Sequence, residues 1–184
     1  SVYALDVASG DERWKKDLGA AIVFTPTLSD DGVLYLVTLA REIIALNTSG
    51  EILWNQKVEN MVWSQPVVRD DFIYFSDTTG IVYAAQTSDG VIQWNLSIGG
   101  DAKTASLGIP AAMDDFIIFG LENGELVAVS YSGERLWTRS VNGSLYSGPV
   151  VTGDKLLVGV TQGENLVISY DVNGNQSWAF KPAK

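Results

Sequence analysis

The residues in this 184-residue chain best suited to chemistry are paired aspartates: Asp30–Asp31, Asp70–Asp71 and Asp114–Asp115. Two carboxylates held close can divide the roles of proton donor and acceptor, so each pair has the makeup of an acid–base dyad. The rest of the usual catalytic set is missing. There is no histidine and no cysteine, which excludes a histidine-based triad and a cysteine nucleophile. Metal sites built on those ligands are excluded as well. Asp77, Glu122 and Asn123 offer oxygen ligands of the kind calcium takes, but they come from separate repeat units. Asn47, Asn95, Asn142 and Asn175 head glycosylation sequons. Those turns are rich in serine and threonine, so such triplets arise there by composition alone.

What must position the aspartates is a repeat. Glycine precedes tryptophan by four residues at Gly10–Trp14, Gly50–Trp54, Gly90–Trp94, Gly133–Trp137 and Gly174–Trp178, and successive tryptophans lie 40, 40, 43 and 41 residues apart. Trp63 alone stands outside the series. Periods of this size mark stacked or radial repeat architectures. Within each unit a proline (Pro26, Pro66, Pro110, Pro149) opens a strand that ends in a polar turn, and the aspartate pairs occupy that turn. An apolar run follows: "VLYLV" (33–37), "FIYF" (72–75), "FIIF" (116–119) or "LLVGV" (156–160). After a second turn comes another apolar run, then the glycine turn and the tryptophan strand. Short β-branched and aromatic runs bounded by glycine and aspartate are strand signals. The inner runs are apolar throughout, so both faces should be buried.

Four strands (A to D) per unit of about 40 residues predict an all-β fold, a β-propeller of four-stranded antiparallel blades. The boundaries fall at a half blade (1–18) and four blades (19–58, 59–98, 99–141 and 142–184). "TLAREIIALN" (38–47) has helical propensity, but the repeat register assigns it to the B–C turn and strand C. On this layout the aspartate pairs recur in the A–B turn of successive blades, a blade's width apart. Their expected role is therefore turn chemistry, not catalysis.

"ALDVASGDERW" (4–14) resembles the Ala-x-Asp-x-x-Ser/Thr-Gly-x-x-x-Trp pattern of the quinoprotein-type, or PQQ-like, propeller repeat. "ALNTSGEILW", "AAQTSDGVIQW", "AVSYSGERLW" and "SYDVNGNQSW" follow it more loosely, with Asn47, Gln86 and Ser130 in place of Asp6. A WD-repeat propeller fits worse, for want of a Gly-His element and a Trp-Asp pair. The resemblance implies seven or eight blades in a closed ring, so the chain is expected to be part of a larger, exported protein, periplasmic, cell-surface or extracellular. Some relatives are alcohol or sugar dehydrogenases using pyrroloquinoline quinone with calcium. Their adjacent cysteine pair is absent, and no run matches their calcium ligands or catalytic aspartate. The chain looks more like the non-enzymatic members, such as the lipoprotein of the outer-membrane β-barrel assembly machinery. The expectation is a non-catalytic scaffold or binding module without cofactor or bound metal. The alternatives are a dehydrogenase fragment and a carbohydrate-binding propeller.

The five tryptophans with Gly10, Gly50, Gly90, Gly133 and Gly174 are expected to be structural staples. A tryptophan on the outer strand can wedge into the seam between blades, where its indole N–H needs an acceptor such as a backbone carbonyl. Glycine accepts the positive φ of the C–D turn. Binding is assigned instead to the face where D–A and B–C connections emerge. There Phe24, Trp63, Leu107 and Tyr146 precede the prolines, and the link from Trp94 to Pro110 is longer than the others, bringing in Lys103. Variable loops on a rigid scaffold commonly carry binding. The expected partner is a protein. A formal net charge of -10 argues against nucleic acid, and no apolar stretch reaches the length of a membrane span. Open blade edges add possible self-association.

Overall fold

The inner runs form strands because they are dense in β-branched and aromatic residues and are cut at both ends by turn residues. The computed structural model describes residues 1–100 and 104–183. Among these, every strand lies in an antiparallel sheet. β1 (Val2–Leu5) and β2 (Glu12–Lys16) form a two-stranded sheet. The first four-stranded sheet holds β3 (Thr27–Leu28), β4 (Leu34–Thr38), β5 (Glu42–Leu46) and β6 (Ile52–Lys57) in chain order. The second holds β7 (Val67–Arg69), β8 (Phe72–Ser76), β9 (Ile81–Gln86) and β10 (Ile92–Ser97). The third holds β11 (Ala111–Ala112), β12 (Phe116–Gly120), β13 (Glu125–Ser130) and β14 (Arg135–Ser140), and the fourth β15 (Val150–Thr152), β16 (Lys155–Gly159), β17 (Val167–Asp171) and β18 (Gln176–Phe180). The fold is all-β, a run of propeller blades. Residues 42–46 are strand, as the register required, and Arg41 turns the chain into it with φ 65°.

The middle strands carry the core. In β4, β5, β8, β9, β12 and β13 four successive residues are buried, because each middle strand is covered on both faces. The hydrophobic clusters straddle neighbouring sheets. Tyr35, Val37, Ile43 and Ala45 of the first sheet pack with Ile73, Phe75, Tyr83 and Ala85 of the second. Tyr74, Val82 and Ala84 pack in turn with Ile117, Phe119, Val127 and Val129. A blade is therefore not an independent core, and its stability depends on its neighbours.

Each outer hairpin contains the same irregularity. In all five, the C–D register shifts at the residue before tryptophan: Arg13, Leu53, Gln93, Leu136 and Ser177 are unpaired extras. A bulge adds a residue to one strand and re-aims the next side chain, here the indole. The turn that follows strand C is closed by its own side chain. Asn47 Oδ1 accepts the N–H groups of Ser49 and Glu51, and Asp171 Oδ1 those of Asn173 and Asn175. Ser130 Oγ does the same for Glu134 N–H, which explains why Asp, Asn and Ser interchange at this position.

Candidate functional site

At three seams an indole bridges two blades. Trp14 Nε1 donates to Thr48 O (2.8 Å), Trp54 Nε1 to Thr87 O (2.8 Å) and Trp94 Nε1 to Tyr131 O (3.1 Å). Each ring lies flat on the glycine of the next C–D turn. A Cβ at Gly50, Gly90 or Gly133 would come within 2.8 Å of the ring, and φ is about +80° or more at two of them. Trp137 also lies against Gly174, but the donor there is Arg139, whose Nε and Nη2 reach Gly174 O (2.7 Å) and Asn173 O (3.0 Å). Its guanidinium covers the Trp137 ring at 5.4 Å. Sequence patterning missed this residue; the available signal was an arginine two residues past the tryptophan, where the other units have Lys16, Gln56, Leu96 and Phe180.

The D–A links and B–C turns lie together on one face. Isolated bridges join Ile22 to Thr38, Val62 to Asp77, Ser106 to Leu121 and Ser144 to Thr161. Trp63 is 36% exposed on this face and meets Phe24 edge to face, with centroids 5.8 Å apart. The two are not register equivalents. Phe24 stands two residues before its proline, whereas Trp63, Leu107 and Tyr146 stand three before theirs. A one-residue shift along an extended chain turns a side chain to the opposite side. Phe24 therefore packs on the core shared by the first two blades, and exposed Val23 takes the outward position.

Tyr146 is 49% exposed and Leu107 half-buried. Tyr146 lines an apolar hollow of about 500 Å³ with Ile109, Pro110, Pro149, Val150 and Val151. The floor is bare backbone: a Cβ at Gly108 would overlap Gly148 N, and one at Gly148 would overlap the Ile109 carbonyl. Exposed Ile109 was not singled out from sequence, although its alternation with Leu107 marks it. Thus the structure brings Phe24 to Trp63 and Tyr146 to Ile109, on different pairs of blades. Lys103 lies outside the described residues.

The aspartate pairs of the first two blades line a common opening. Asp30, Asp31, Asp70 and Asp71 border one cavity of about 430 Å³, with Thr27, Tyr35 and Thr87. The pairs of the first two blades thus border one opening from its two sides. Turn bonding still occupies part of the group: Ser29 Oγ donates to Asp31, and Asp71 O accepts Thr87 N–H (2.9 Å). Among the described residues no three acidic groups are placed to hold a metal ion. Asp77 is fully buried and engaged within the protein. It accepts hydrogen bonds from Asn60 Nδ2 (3.0 Å), Tyr83 OH (2.9 Å), and the N–H groups of Thr79 and Ile81. Burial, reinforced by the hydrogen bond to Asp77, pushes the Tyr83 phenol well above its ordinary pKa. Asn123 Nδ2 donates to Glu125 Oε2 (2.9 Å), and its Oδ1 accepts the Glu125 N–H (3.1 Å).

A family profile described as outer membrane protein assembly factor BamB matches residues 1–179. The chain belongs to this PQQ-like repeat family. The BamB of Yersinia pestis is 28% identical over 156 residues, covering 77% of this chain and 39% of that protein. The BamB of Salmonella typhimurium is 29% identical over 134 residues, covering 71% and 32%. The chain therefore spans about two-fifths or less of the length of these curated relatives. The crystal structure of BamB from Moraxella catarrhalis superposes with a TM-score of 0.80 at 19% identity, covering 99% of this chain and 58% of that one. Quinohemoprotein alcohol dehydrogenase from Comamonas testosteroni gives 0.76 at 15% identity, covering 88% and 35%. These two likenesses are of fold. They place BamB-type and dehydrogenase propellers on the same scaffold without assigning chemistry to any residue.

Proposed function

We propose that this chain is a non-catalytic interaction scaffold, part of a larger BamB-type propeller that takes part in assembling outer-membrane proteins in the periplasm. The observation that carries the reading is the BamB-type match over residues 1–179. The composition supports it, since a chain with neither histidine nor cysteine must build any site from carboxylates, hydroxyls, amides and amines.

The D–A and B–C face is the contact surface in this reading. It presents Trp63, Val23, Tyr146 and Ile109 as partly exposed apolar anchors on a rigid frame. Tryptophan and tyrosine, here Trp63 and Tyr146, are enriched among the residues that dominate interface energetics when a partner covers them. The partner is a protein of the outer-membrane assembly pathway. The test is site-specific photo-crosslinking in the periplasm, with a photoreactive residue at Trp63 or Tyr146 and a control at Asp114 on the opposite face. Adducts to an outer-membrane assembly component at the first two positions alone support the reading. Equal adducts from Asp114, or adducts only to unrelated proteins, overturn it.

A further inference from the structure

Asparagine followed by glycine is the pairing in which a backbone reacts most readily with its own side chain. Glycine has no Cβ to hinder the approach of its amide nitrogen to the asparagine Cγ, and asparagine is among the thermolabile residues. Three such pairs occur here: Asn123–Gly124, Asn142–Gly143 and Asn173–Gly174. They are alike in sequence, and the fold tells them apart.

Two of the pairs are locked. Asn123 lies in the B–C turn of the third blade. Its side chain is bonded at both ends to Glu125, and the Gly124 N–H donates to Leu121 O (2.9 Å). Asn173 lies in the C–D turn of the fourth blade. There the Gly174 N–H donates to Asp171 O (3.0 Å), and Arg139 holds the carbonyls of Asn173 and Gly174. In each turn the nitrogen that would have to attack is spent on closing the turn. The third pair differs. Asn142 is exposed, in the D–A link that passes from the third blade to the fourth. The residues on either side are fastened: Val141 N–H donates to Gly124 O (2.8 Å), and Ser144 exchanges hydrogen bonds with Thr161 (2.8 and 2.9 Å). Between them the Gly143 N–H donates to no backbone carbonyl among the described residues.

We propose that Asn142–Gly143 is a modification site of the folded protein, converting to aspartate and isoaspartate. The Gly143 nitrogen loses its proton to solvent base and attacks Asn142 Cγ. The Cγ–Nδ2 bond breaks, and Nδ2 leaves as ammonia with a proton from solvent. Water then opens the cyclic imide at either carbonyl. Opening at the side-chain carbonyl gives aspartate in an ordinary backbone, whereas opening at the backbone carbonyl gives isoaspartate, with the chain running through the former side chain. Either product adds a negative charge to a chain that already carries -10. Isoaspartate also lengthens the backbone by a methylene where there is no slack. A Cβ at Gly124 would overlap Gly143 O, and one at Gly163 would overlap Asn142 O. The change therefore strains the contact between this link and the B–C turns of the third and fourth blades. This inference rests on the turn geometry and is independent of the assembly role.

The test is peptide mapping of the 184-residue chain during long incubation in mildly alkaline buffer, both folded and in guanidinium. Trypsin isolates Asn142 in residues 140–155 and Asn123 in residues 104–135, each as the sole asparagine of its peptide. Fragmentation locates Asn173 in its own peptide. In the folded chain Asn142 is expected to convert at least about fivefold faster than Asn123 and Asn173, the factor one retained turn hydrogen bond is worth. In guanidinium, where no turn survives, the three rates should converge. A protein isoaspartate methyltransferase should label the aged folded chain in residues 140–155, and Asn142→Gln should remove that label together with the first acidic form on isoelectric focusing. Folded-state conversion of Asn123 or Asn173 as fast as Asn142, conversion of Asn142 only in guanidinium, or an acidic form that survives Asn142→Gln would each overturn the proposal.

Discussion

Trp63 illustrates how exposure and contact set the size of an effect at a single residue. It is partly exposed and its defined aromatic contact is Phe24, at 5.8 Å and 89°. An edge-to-face pair adds about 0.5–1.5 kcal/mol beyond area burial. Trp63→Ala is therefore expected to lower stability by about 1–2 kcal/mol in urea melts while removing most partner crosslinking. A loss above about 3 kcal/mol, with binding unchanged per folded molecule, would make it a core residue. Tyr74 gives a second residue-scale test. Burial, then the neighbouring Tyr131, pushes its phenol from 10.0 up to about 12. A pKa raised on folding stabilises below the unfolded value and is lost as pH rises through the folded one. Stability should thus hold to about pH 10 and fall between 10 and 12. Ultraviolet titration at 295 nm should show the buried tyrosines, Tyr74 among them, ionising above pH 10 and together with unfolding. Simple ionisation of every tyrosine near pH 10 without unfolding would contradict this.

At the scale of the blade, what matters is the joint between one tryptophan and the next turn. Trp94 combines a hydrogen bond to Tyr131 O, a ring face on Gly133 and a tilted contact with Tyr74 at 6.0 Å. Removing it leaves a cavity and an unpaired carbonyl, so Trp94→Ala should cost about 3–5 kcal/mol. Trp178→Ala in this 184-residue chain should cost clearly less, because no glycine turn of the described residues lies against that half-exposed ring. Equal, sub-kilocalorie losses at both positions in denaturant melts would show that the tryptophans do not hold the seams. The fourth seam supplies a contrast. Arg139 donates to two turn carbonyls and covers the Trp137 ring, so Arg139→Met should destabilise by about 1–3 kcal/mol. Little change in the melting curve would mean that ring packing alone secures that seam.

For the whole molecule, the net charge of -10 and the lack of histidine and cysteine bear on what the propeller can bind. Quinohemoprotein alcohol dehydrogenases share this fold, and the repeat resemblance makes pyrroloquinoline quinone with calcium the ligand pair to test. Calorimetric titration of this chain with both is expected to give no stoichiometric heat, and no dye reduction should follow on adding an alcohol. A one-to-one, calcium-dependent heat would overturn the non-catalytic reading. No helix of the described residues is long and apolar enough to cross a membrane.

The sequence alone determined the number and order of strands, because strand formation here is local. Apolar runs such as 72–75 and 116–119 are bounded by aspartate and glycine, and their burial on both faces follows from having no polar side. The family was legible for the same reason: five Gly–Trp steps mark the turn that needs positive φ and the ring that sits beside it. What only the tertiary structure decided lies across seams. The bulge before each tryptophan is invisible in composition, yet it aims the indole at the next blade. The substitution of Arg139 for an indole donor depends on how far a guanidinium reaches over a neighbouring turn. Phe24 differs from Trp63 by one residue of register, which chooses core or surface. The gathering of Asp30, Asp31, Asp70 and Asp71 around one cavity depends on how the first two blades meet. A repeat specifies each blade through contacts within about forty residues, whereas seam geometry is settled only when two blades meet.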